Sequence, residues 1–133
     1  MLKLEIVTPE KKVFDAEVDS VTVPTASGEA GLLANHAPLV SALRPGILSY
    51  SVKGSVEKMV VAAGFVEMNN NSVSVLTESA ESATEIDIEA AKAARDAAEK
   101  DLAANASSAI ELTEVTREQL EAANARIQLA AGK

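Results

Sequence analysis

The spacing of the apolar residues changes character near Glu78, and that change constrains the fold more than any other feature. From Leu2 to about Glu78 the apolar residues come in short runs of period two: Leu2, Leu4, Ile6; Val21, Val23; Leu48, Tyr50, Val52; Val73, Val75. Pro, Gly or Asn interrupts these runs at intervals. A period of two puts alternate side chains on one face of a strand, and closely spaced strands of this kind build a sandwich or barrel. Asn69-Asn70-Asn71 separates VVAAGFVEM from SVSVL, and asparagine's tolerance of positive φ suits a hairpin turn there. The first half therefore reads as an all-β module of roughly 80 residues, small but able to fold alone.

Beyond Glu78, ESAESATE carries no strand signal, and fifteen alanines fall between Ala90 and Ala131 with no glycine before Gly132. Alanine is the strongest helix former, so two helices are expected. Thr84 or Asp87 can cap the first, which runs to about Ala104. NASSAIEL is expected to break it. Thr116-Arg117-Glu118-Gln119 has the form of a capping box that would start the second helix, with Thr113 as a rival start. That helix then runs to about Ala131 with Leu120, Ala123 and Ile127 along one face. The expected fold class is an all-β sandwich over residues 1–82 followed by an antiparallel two-helix hairpin over 83–133. Facing alanines bury little area, and burial stabilises by roughly 25 cal/mol per Å2. Such a hairpin forms readily and docks weakly, which allows detachment at modest cost; a rigid αα-hairpin is the other reading.

Composition removes several functions. The net charge is −8, and Phe14, Phe65 and Tyr50 are the aromatic residues, so the chain has neither the basic surface nor the stacking platforms of a nucleic-acid binder. The chain has no cysteine, so disulfides and thiolate metal sites are out. No apolar run approaches the roughly 20 residues that span a bilayer, so a soluble protein is expected, with membrane association only through a partner. His36 is the sole imidazole, which excludes a multi-histidine metal site. No G-x-S-x-G elbow, phosphate-binding loop or dinucleotide fingerprint is present. No catalytic residue, metal or obligate cofactor is expected, and a small hydrolase built on His36 lacks partners for its base.

One segment remains unexplained by plain strand and turn chemistry. GEAGLLANHAPLVSALRPG, from Gly28 to Gly46, holds His36, two of the four prolines and three of the six glycines. Extended to Leu48, it resembles the signature of the epsilon subunits of F-type ATP synthases, roughly G-E-x-G-I-L-x-x-H-x-P-L-x-x-x-L-x-P-G. LEIVTPEKKVFDAEVDSVTVPTASG is similar to that family's opening strands, AAGFVEMNNNSVSVL to its G-G-F-x-E-V, turn, V-T-V-L segment, and the alanine-rich end to its helical hairpin. Ala30, Ala34 and Ala63 depart from the family's usual residues.

The resemblance implies a non-catalytic rotor subunit of the central stalk, whose sandwich binds the gamma subunit and the ring of c subunits. Proton-driven rotation of that assembly powers ATP synthesis. It implies a peripheral location on the cytoplasmic face of the bacterial plasma membrane. Gly28, Glu29, Gly31, Leu33, His36, Pro38, Leu39, Leu43, Pro45 and Gly46 fall on the motif. Glu29, Leu33, His36 and Pro38 are thereby candidate partner contacts, with Glu29 facing the c ring; a solvated Glu29 and a loop-fixing His36 are the bland readings. Gly28, Gly31 and Gly46 are expected to serve backbone geometry.

In bacterial relatives the hairpin can extend along gamma towards the alpha and beta subunits of the catalytic head and inhibit ATP hydrolysis. Arg117, Arg126 and Lys133 are the cations available for such a contact, against Glu114, Glu118 and Glu121, so a brake here is expected to be weak or steric. Some relatives bind ATP through [I/L]-D-x-x-R-A. Here Ile86 to Ala91 reads IDIEAA, with Ala90 in place of the arginine, so regulatory ATP binding is not expected despite candidate contacts at Glu81, Asp87 and Arg126. The alternative function is a stand-alone β-sandwich binding module with a helical oligomerisation tail.

Overall fold

The computed structural model describes residues 1–104 and 110–131, with side chains placed over 1–104 and 114–130. The first part of the chain forms ten strands: β1 (Leu2–Val7), β2 (Lys12–Val18), β3 (Ser20–Thr25), β4 (Gly28–Leu33), β5 (Leu39–Leu43), β6 (Gly46–Val52), β7 (Ser55–Val61), β8 (Gly64–Asn69), β9 (Ser72–Thr77) and β10 (Ala80–Ser82). They form one sheet in the order β10-β7-β6-β3-β5-β8-β9-β1-β2, with β4 added to β3. β1 and β9 pair in parallel, Leu4 beside Val73 and Ile6 beside Val75.

The sheet folds over itself into a sandwich because alternation gives strands such as β1, β3, β8 and β9 one apolar face. Leu2, Leu4, Ile6, Val18, Val21, Val23, Leu32, Leu43, Leu48, Met59, Val61, Val66, Met68, Val73 and Val75 make one continuous core. Each fully buried Leu, Ile or Val contributes roughly 1.5–3 kcal/mol, which lets so aromatic-poor a core hold. Phe14 on β2 and Tyr50 on β6 meet with ring centroids 4.6 Å apart, tying the edge strand β2 across to the other sheet half. Burial there pushes the Tyr50 hydroxyl above its ordinary pKa, with Glu57 adding to the shift.

The turn after β8 is as the asparagines suggest, with φ of +50° at Asn70 and +59° at Asn71. The short strand β10 was not legible in ESAESATE. It exists through its ladder with β7, Ala80 opposite Val61 and Ser82 opposite Met59, so backbone pairing and not apolar periodicity makes it.

A 3-10 turn, Ala83–Glu85, leads to α1 (Ile88–Ala104) and α2 (Ile110–Ala131). The Ser82 N–H donates to Glu85 Oε1 at 2.9 Å, and these bonds from Ser82 hold the Glu85 carboxyl below the usual carboxylate range. Asp87 caps α1, its Oδ1 accepting from Ala90 N at 3.1 Å. Thr116 does not start α2. The helix is already formed at Ile110, and the buried Thr116 hydroxyl donates across the hairpin to Asp101 Oδ2 at 2.7 Å. Of the expected break at NASSAIEL, 105–109 lie outside the described residues, and Ile110, Glu111 and Leu112 are helical. Buried Ala91, Ala98 and Ala123 form the alanine seam.

Two glycines have firm steric reasons. Gly28 sits at φ +117° where the β3–β4 turn enters β4. At Gly64 a Cβ would lie 1.9 Å from the Leu76 carbonyl oxygen, so β8 and β9 approach too closely for any side chain. Gly31 and Gly46 do not need positive φ: Gly31 faces open space, and Gly46 faces Pro24 Cβ at 3.0 Å. Gly64→Ala is therefore expected to destabilise the protein by about 2–3 kcal/mol or more in urea denaturation, and Gly31→Ala to stay within about 0.5 kcal/mol.

Candidate docking site

Alternation also determines what each sheet half presents outward. On β6 and β7 the outward Ile47 and Val60 are covered by α2, where Ala125 and Leu129 pack with Ala83 and Ile86. The second helix carries this contact, and α1 packs on α2. An open cleft of about 680 Å3 separates Ala94, Ala97 and Ala98 of α1 from Pro45, Ala62 and Ala63 of the sandwich. The hairpin thus rests on the sandwich along one helix and one small apolar cluster.

Two ion pairs flank that cluster. Arg44 grips Glu121 with both ends of its guanidinium, Nε lying 3.1 Å from Oε2. The Glu121 carboxylate raises the Arg44 pKa further above its ordinary value, helped by Glu114 and Glu118 along the same helix. Arg126 Nε donates to Glu81 Oε1 at 2.6 Å, joining α2 to β10. Both pairs are about a third exposed, so each contributes about 0.5–1 kcal/mol and is weakened by salt.

The Gly28–Gly46 segment splits between two surroundings. Arg44 belongs to the hairpin interface, its N–H donating to the Pro24 carbonyl at 2.9 Å. Exposed Glu29 lies opposite Pro24 on the β3–β4 ribbon and borders a shallow groove with Pro45, Ile47, Glu121 and Gln128. Leu33, His36 and Pro38 lie together, exposed, at the β4–β5 loop. His36 N donates to the Leu33 carbonyl at 3.1 Å, and its ring Nδ1 is 2.7 Å from the Ala37 carbonyl oxygen, an N–H donor geometry. The imidazole therefore braces its own loop. Arg117 is exposed on α2, remote in sequence from the loop. Of the nucleotide candidates, Glu81 and Arg126 are brought together but bind each other, and Asp87 is engaged at the α1 cap.

The other sheet half has an uncovered outward face. Ala42, Phe65 and Leu76 stand opposite one another across β5, β8 and β9, and Leu76 continues to Val7 on β1. Phe65 is 62% exposed, Leu76 52% and nearby Val40 70%. Contiguous exposed apolar residues in a small domain mark an interaction surface. Sequence reasoning passed over this row, although Phe65 and Leu76 fall in the phase opposite to core Val66 and Val75. Arg44 and Glu121 are separated by 77 positions, and nothing local in the sequence joins them.

Fold and site together define an interaction protein: a sandwich with one outer face covered by its own hairpin and the other bare among the described residues. Residues 1–83 match the family described as ATP synthase, Delta/Epsilon chain, beta-sandwich domain. An ATP synthase epsilon chain of Gloeobacter violaceus is 40% identical over 97% of this chain and 96% of its own length. That of Desulforamulus reducens is 49% identical over 75% of this chain and 76% of its own. A chain in a Euglena gracilis mitochondrial ATP synthase structure (OSCP/F1/c-ring) superposes with a TM-score of 0.78 at 27% identity, covering 99% of this chain and 81% of that one. The chain belongs to the ATP synthase delta/epsilon family and is a non-catalytic, central-stalk subunit of the ATP synthase complex. The stand-alone module and the His36 hydrolase are thereby set aside. Among the described residues, no helix is long and apolar enough to cross a membrane.

A double-mutant cycle on Arg44→Ala and Glu121→Ala is expected to give about 0.5–1 kcal/mol of coupling in urea denaturation, with faster amide exchange across 114–130 and unchanged exchange in β8 and β9. Zero coupling would show that the pair does not hold the hairpin.

Proposed function

We propose that this subunit couples rotation of the c ring to gamma through two surfaces of the sandwich. The bare row of Val40, Ala42, Phe65 and Leu76 docks on gamma, and Glu29 with the Leu33–Pro38 loop docks on the c ring. The observation that carries the reading is that row, which no described residue of the chain covers. The subunit sits peripherally at the cytoplasmic face of the bacterial plasma membrane, held there by these partners. Phe65→Asp with Leu76→Asp is expected to weaken binding to purified gamma at least about tenfold without unfolding the protein, while Val115→Asp on the hairpin leaves it unchanged. Equal binding by all three would sink the reading.

The hairpin acts as a weak brake with a steric component. Its resting place is the β6–β7 face, and detachment of α2 is opposed by two partly exposed ion pairs and a small apolar cluster. Transient contact with the alpha and beta subunits follows from release. Truncation after Ser82 is expected to leave assembly intact and raise ATP hydrolysis of the reconstituted complex modestly; unchanged hydrolysis removes the brake.

Nucleotide does not regulate this hairpin. A phosphate chain needs cationic donors, and Arg126 is engaged by Glu81 while Ala90 supplies none. Millimolar ATP is expected to leave the Tm of the isolated subunit unchanged, because a ligand stabilises only by occupying the folded state. A saturable rise of several degrees would establish an ATP site.

A further inference from the structure

The β4–β5 loop, residues 34–38, carries His36 and Pro38 at the surface, yet it is not shaped by its own residues alone. Asn35 adopts φ +67°, and its N–H donates to Asn71 Oδ1 at 2.6 Å. Asn71 lies 36 positions away, in the β8–β9 turn, itself at φ +59°. The Asn71 carbonyl accepts from Lys3 N at 2.9 Å, so this turn is fastened to the start of β1 as well. Immediately after the loop, Leu39 pairs with Met68 on β8. The turn is thus a fixed point beside the loop, and Asn71 is the side chain that reaches across.

We propose that Asn71 is the positioning residue for the docking loop: its side-chain oxygen holds Asn35 in the left-handed conformation and so presents Leu33, His36 and Pro38 in one arrangement. The inference rests on the proposed docking role of that loop. A loop held in its bound shape loses less conformational freedom on association, so the tether favours binding without touching the partner. Asn71 is also suited to two demands at once, since it tolerates positive φ and offers an acceptor.

The two demands separate by mutation. Asn71→Gly keeps the turn's φ and removes the acceptor; Asn71→Asp keeps an acceptor oxygen in place. With full-length protein, amide exchange at Asn35 is expected to quicken in Asn71→Gly and not in Asn71→Asp, with Tm within about 2 °C of the parent in both. Affinity for the host's ATP synthase stripped of this subunit is expected to fall about fivefold in Asn71→Gly and to be restored in Asn71→Asp. Unchanged Asn35 exchange, equal affinity for Asn71→Gly and the parent, or a large Tm loss in Asn71→Gly would each overturn the proposal. Failure of the parent to bind the stripped complex would instead reject the docking function, and the positioning role with it.

Discussion

Strand alternation in a sheet folded over on itself is the constraint on which the rest of this molecule depends. Once Leu4, Val66 and Val75 are committed to the core, their neighbours in the chain must point outward, and each outward apolar residue is then either covered or bare. The chain covers Val60 and Ile47 with its own second helix. It leaves Phe65, Leu76 and Val40 uncovered. A free-standing domain gains nothing from such a row, whereas a subunit of a larger complex needs one.

The covered face is held differently from the core. Aliphatic packing in the sandwich is dense and shielded from solvent. The hairpin, by contrast, relies on an alanine seam between its helices, one small apolar cluster, and the Arg44–Glu121 and Arg126–Glu81 pairs to reach the sandwich. Interactions of that kind weaken with salt and are recoverable after separation, so the element attached this way is the one able to move. The same Gly28–Gly46 segment supplies Arg44 to the hairpin and His36 to the exposed loop, which places the two interfaces on a common stretch of backbone.

Much of the fold was legible because it follows from local rules. Period-two spacing gave the strands, Asn70 and Asn71 the turn, Asp87 the cap of α1, and alanine content the two helices. The errors arose where a long-range partner decided the outcome. Thr116 has the local look of a cap, but Asp101 on the opposite helix recruits its hydroxyl. β10 has no apolar pattern because its partner strand β7 supplies the reason for it. The same holds for the site: the loop residues could be picked out from their motif, while Arg44, Asn71 and the Phe65–Leu76 row acquire their roles only when distant strands come together.

The central claim is that assembly covers the β5–β8–β9 face while the hairpin covers the β6–β7 face. Hydroxyl-radical footprinting of the free subunit and of the assembled ATP synthase tests it directly. Strong protection of Phe65 and Leu76 on assembly, with Val60 protected in the free subunit already, is the predicted result. Phe65 and Leu76 remaining as reactive in the complex as in the free chain would contradict it.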